Sequence, residues 1–107
     1  MAEVTTINTQ NFKMQVLDTG GKTIVEFFAN WCPDCRVVEP LFREVAKEIS
    51  EGISFFRLDI QENPEKAQEY EVKHIPHFIV FEDGEKMREA TELRNKEQIL
   101  QLINGER

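Results

Sequence analysis

Cysteine is scarce in this chain, with two in 107 residues, at positions 32 and 35. Without further cysteines there is no disulfide framework of the kind that staples small secreted domains. No apolar run approaches the ~18 residues of a membrane-spanning helix. The N-terminus "MAEVTTINTQ" has neither the basic start nor the apolar centre of a secretory signal, so a cytoplasmic chain is expected. A basic excess is also lacking. Thirteen Lys+Arg stand against twenty Asp+Glu, a formal charge of -7. Such a chain repels phosphate backbones and anionic lipid, which removes nucleic acid and membrane surfaces as expected partners. There is no internal repeat, low-complexity tract or linker, so a single domain over 1–107 is expected. Glycine-rich phosphate loops and a Ser/His/Asp set are missing too, and no cofactor is expected beyond the cysteine pair itself.

What is present is core-forming material: 40% hydrophobic residues, eight of them Phe. Val4 to Ile7 reads as a short extended segment. Asn8 or Thr9 can cap a short helix carrying Phe12, Val16 and Leu17, which Gly20-Gly21 stops. "TIVEFFA", 23–29, is an almost continuous apolar run. It predicts a central strand buried on both faces, with Glu26 in its middle. A helical period follows from Pro33 to about Ile49, with Val37, Val38, Leu41, Val45, Ala46 and Ile49 as its apolar side and Pro40 as a kink. "ISFFRLDI", 53–60, predicts a second central strand. Asn63-Pro64 opens a short helix to about Tyr70. "HFIVF", 77–81, predicts a third strand, and Asp83-Gly84 a hairpin into a polar edge strand at about 86–91. Asn95 caps a last helix with Gln98 three residues on and Ile99, Leu100, Leu102 and Ile103 inward. Strands alternating with helices before a hairpin predict an α/β fold, a mixed sheet with helices on both faces.

The two cysteines sit in "ANWCPDCR", 29–36, where the first central strand hands over to a helix. Functional groups of open α/β sheets gather at such carboxyl ends. Proline pushes the residue before it to extended values, and a helix N-cap needs the same values. Cys32 is therefore the expected N-cap, Pro33 N1, Asp34 N2 and Cys35 N3. An N-cap side chain accepts from the N2 or N3 amide, so the Cys35 N–H points at the Cys32 sulfur. That hydrogen bond and the positive helix end favour thiolate over thiol. An extended Cys32 also closes the gap between i,i+3 Cβ atoms and a disulfide. Asp34 opposes the thiolate. At ~7 Å and an effective dielectric of ~40–80, its repulsion is roughly 0.6–1.2 kcal/mol, under about one pKa unit. A modestly acidic thiol leaves the dithiol reducing rather than strongly oxidising.

The stretches "VEFFANWCPDCR", "FRLDIQENP" and "YEVKHIPHFIVFEDGE", followed by the last helix, resemble the thioredoxin family in order and spacing. The resemblance covers nearly the whole chain. It implies the thioredoxin fold, with about five strands and about four helices, and thiol–disulfide exchange on proteins. Cys32 matches the exposed nucleophile and Cys35 the buried resolving thiol. Glu26 matches the family's buried aspartate, which helps take the Cys35 proton. Pro76 matches the cis-proline facing the disulfide. Trp31, Ile60 and Ile75 match an apolar docking patch. His74 and His77 bracket Ile75-Pro76, and an imidazole placed near the disulfide can move a proton or stabilise the thiolate. The implied partners are disulfide-containing proteins and a thioredoxin reductase, met by a monomer.

Five positions depart from the family pattern. Pro33-Asp34 stand where Gly-Pro is usual, Glu26 replaces Asp, Arg57 replaces a strand lysine, and Glu92 stands near a glycine of the docking rim. An acidic, bulkier rim predicts a narrower substrate choice. Other readings of the residues remain. One is exchange run in the oxidase or isomerase direction. Another is a metal module of two Cys and two His, although H-x-x-H is tighter than the usual zinc spacing. The last is a scaffold that only binds.

Overall fold

The computed structural model describes residues 3–49 and 51–105. The two ends of the expected 1–107 domain lie outside the described residues. Strand β1 is Val4–Ile7. Asn8 caps helix α1, Thr9–Phe12, by accepting the Asn11 N–H, and α1 runs on as a π-helical turn, Lys13–Leu17. Then come β2, Lys22–Phe28; α2, Pro33–Glu48; β3, Ile53–Asp59; α3, Pro64–Glu69; β4, His77–Glu82; β5, Glu85–Thr91; and α4, Lys96–Asn104. Asn95 caps α4 through the Gln98 N–H, and Gly105 ends it in the left-handed region.

The five-stranded sheet has the order β1-β3-β2-β4-β5. The first three strands are mutually parallel, with Glu26 opposite Arg57 on the β2–β3 ladder. β4 runs antiparallel to β2, and β5 antiparallel to β4, a mixed sheet as expected. The central place belongs to β2, as its unbroken apolar run requires. The polar β5 is an edge, where one side of the strand stays in water.

Strand alternation sorts the core onto two faces. Ile24, Phe55, Phe78 and Val80 point to the α2 and α4 side, where Phe42, Val45 and Ile99 fill the layer. Val25, Phe27, Leu58, Ile79 and Phe81 point to the other side, against Phe12 and Val16. Two details of α2 differ from the sequence reading. Val37 is exposed, and Phe42 takes its place in the core. Val38, Phe42, Val45 and Ala46 recur at three- and four-residue steps, and Val37 lies off that stripe. Pro40 stands within α2, and the helix continues past it to Glu48. Pro40 removes the amide that would bond the Arg36 carbonyl.

Candidate active site

Chain direction brings the first cysteine to the end of β2. Pro33 then does what its position predicts. Cys32 is extended, at φ -84 and ψ 113, and is the N-cap of α2. The Cys35 N–H donates to Cys32 Sγ across 3.1 Å. The two residues are joined as a disulfide, with Cα atoms 5.2 Å apart. The Ile75 carbonyl oxygen lies 3.8 Å from Cys32 Sγ.

Exposure does not separate the two cysteines in the way expected of a nucleophile and a resolving thiol. Cys32 is 4% exposed and Cys35 2%. The N-cap geometry curls the Cys32 side chain back over the helix end. There it packs with Phe28, Ala29, Ile60 and Ile75. What distinguishes Cys32 is the amide aimed at its sulfur. Trp31 stands exposed immediately before it.

The Ile75–Pro76 peptide is cis. Pro76 lines a groove of about 180 Å³ together with Asp34, Val37, Glu92, Leu93 and Arg94. The groove thus carries two carboxylates on its rim. Glu92 holds φ at +61, in the left-handed region that favours glycine.

Glu26 is fully buried on β2. Alternation aims it to the α2 side, between Ile24 and Phe28. Arg57 Nε donates to its Oε1 across 3.1 Å, and the guanidinium carbon lies 3.7 Å from the centre of the Phe28 ring. Glu26 Oε2 has no hydrogen-bond partner among the described residues. Burial pushes this carboxyl from its ordinary 4.5 up to about 7, and the Arg57 charge offsets only part of that push. On the other side of Arg57 a cavity of about 450 Å³ is lined by Phe28, Ala29, Asn30, Cys35, Arg36, Glu39 and Arg57. Cys35 and Arg57, the partner of the buried Glu26, so meet at one opening.

His77 lies elsewhere. On β4 it shares a face with Ile79 and Phe81, opposite to Phe78. Its Nε2 is 2.9 Å from Glu89 Oε1 and its ring packs against Phe27. The Lys86 hydrogen bond holds the Glu89 carboxyl below its ordinary value; burial opposes it, and the His77 contact adds a smaller lowering. Following Pro76 by one residue therefore does not bring His77 into the cysteine cluster. His74 is exposed. Among the described residues no three His, Cys, Asp or Glu side chains are arranged to hold a metal ion, and no helix is long and apolar enough to cross a membrane.

The sequence model of the family described as Thioredoxin matches residues 3–105. The chain belongs to the thioredoxin family. It is 34% identical to the Thioredoxin of Rickettsia typhi over 94 residues, 88% of this chain and 90% of that one. It is 32% identical to the Thioredoxin of Buchnera aphidicola over 108 residues, 97% of this chain and all of the other. With the Thioredoxin of Chlamydia pneumoniae it shares 35% identity over 98 residues, 92% of this chain and 93% of that one. The chain is a thiol–disulfide oxidoreductase, and its Cys32–Cys35 disulfide is the redox-active group. Membership brings protein disulfides as the kind of substrate and a thioredoxin reductase as the general kind of partner.

Sequence reasoning passed over Glu39 and Arg43. They follow Cys35 at steps of four, which places all three along one stripe of α2. That spacing was the available signal.

Proposed function

We propose that the chain acts as a monomeric, cytoplasmic reductant of protein disulfides, a single domain with Cys32 as nucleophile and Cys35 as resolving thiol. The observation that carries the assignment is the Cys35 N–H donated to Cys32 Sγ at the N-terminus of α2. A hydrogen bond to the charged form and the positive helix end both stabilise a thiolate there. In the reduced protein the Cys32 thiolate attacks one sulfur of a substrate disulfide. An S–S bond forms to Cys32, and the substrate's other sulfur leaves as a thiolate. Cys35 then loses its proton and attacks the Cys32 sulfur. The second substrate thiolate departs, and two electrons have passed to the substrate.

Glu26 receives the Cys35 proton. A carboxyl balanced near neutral pH can both take and release one, and the opening shared by Cys35 and Arg57 supports this role. Trp31, Ile60, Ile75 and Pro76 form the surface on which the substrate lies. The exposed indole and the Ile75 carbonyl beside Cys32 Sγ support that placement. Pro33 sets the N-cap, Asp34 restrains the thiolate, and Arg57 orients Glu26. Work as a reductant suits the cytoplasm, where thiols are kept reduced.

Paired variants test the assignment. Cys35→Ser accumulates a mixed disulfide with a small disulfide-bonded protein, seen as a shifted band on a non-reducing gel. Cys32→Ser forms none. Adducts on Cys32→Ser, or turnover retained by it, would overturn the assignment.

A further inference from the structure

The Glu26–Arg57 pair continues outward. Arg57 Nη1 lies 3.3 Å from Glu39 Oε2, and Arg43 Nη2 lies 2.9 Å from that same oxygen. Charges alternate along Glu26, Arg57, Glu39 and Arg43, and side-chain exposure rises in that order, 0%, 11%, 33% and 45%. The row therefore leads from the buried carboxyl to solvent. Arg57 lies over the Phe28 ring, with Nε committed to Glu26 and Nη1 to Glu39. One guanidinium is shared between two carboxylates, so attraction to one is taken from the other.

The side chains that face Glu26 come from three elements. β3 contributes Arg57, α2 contributes Glu39 and Arg43, and the β4 partner is the apolar Phe78. Glu39 and Arg57 also line the cavity that reaches Cys35.

We propose that Glu39 is a positioning residue for the resolving step: by dividing Arg57 between two carboxylates it sets how readily Glu26 holds a proton. Arg43 restrains Glu39 in turn. The proposal rests on the reading of Glu26 as acceptor of the Cys35 proton.

The test is a pH titration of the Glu26 side-chain carboxyl carbon by NMR, with the signal identified by its loss in Glu26→Gln. It is paired with the pH profile of substrate release from the mixed disulfide in a single turnover. Glu39→Gln removes a like charge and leaves Arg57 to Glu26 alone, so the titration midpoint falls by roughly half a pH unit and the release profile moves with it. Glu39→Asp restores most of the shift. Arg43→Gln, at the exposed end of the row, moves both midpoints upward. A Glu26 midpoint unmoved by Glu39→Gln and Arg43→Gln overturns the proposal and leaves Glu39 a helix-surface contact. A midpoint that moves while the release profile stays overturns the acceptor reading of Glu26, and with it any part for Glu39 in resolution.

Discussion

Cys35 and Cys32 are linked twice, through their sulfurs and through the Cys35 N–H donated to Cys32 Sγ across 3.1 Å. Once the disulfide is reduced, the second link remains as the source of thiolate stability at Cys32. It competes with Asp34, one residue before Cys35 in the first turn of α2.

That competition fixes a sign for Asp34→Asn. Removing the charge lowers the Cys32 pKa by less than about one unit and stabilises the dithiol. The reduction potential then rises by at most about 30 mV. Equilibration against glutathione, followed by Trp31 fluorescence, reads both proteins. The parent is expected near the ~-270 mV typical of thioredoxins. A parent value toward ~-180 mV, the range of isomerases, would favour exchange in the oxidising direction.

Glu26→Gln changes stability in a pH-dependent way. In the unfolded chain the carboxyl releases its proton near 4.5, and in the folded chain at about 7. Between those values the folded state holds the extra proton, so stability falls as pH rises through the window and stays lower above it. The variant has no such loss. Its stability relative to the parent should improve by up to about 3 kcal/mol between about pH 5 and about pH 8.5. Urea unfolding at both pH values checks this, and a constant difference would show that Glu26 is ionised in the fold throughout.

Glu92→Gly relieves a side chain held at φ +61. A gain of about 1 kcal/mol in unfolding free energy is expected, since only glycine occupies this region without cost. The change also removes one of the two carboxylates on the groove beside Pro76. Reduction of a substrate with an acid next to its disulfide should rise relative to one with a lysine there. Equal effects on the two substrates would remove Glu92 from the selection of partners.

Phe42→Ala tests the layer under α2. Phe42 is fully buried, with the Phe55 and Phe78 rings at 5.5 and 5.4 Å. A loss of ~3–5 kcal/mol is expected in denaturant unfolding. A loss below about 1 kcal/mol would mean that α2 closes over the gap.

Some of this was readable before any coordinates, because it depends on near neighbours in the chain. Pro33 sets Cys32, the apolar run around Glu26 demands a central strand, and Asp83-Gly84 turns the last hairpin. The remainder depends on partners far along the chain. Which face of β4 carries His77 follows from its register with β2. That Arg57 meets Glu26 follows from the β2–β3 ladder, and that it also meets Glu39 follows from how α2 lies across the sheet. Val37 leaves the expected buried stripe and Phe42 joins it for the same reason. A helical period shows that one stripe is buried, and the layer beneath selects which stripe. Local sterics and hydrogen bonding therefore account for the cysteine motif. The environment that sets the Glu26 proton exists only once strands and helix distant in sequence exclude water together.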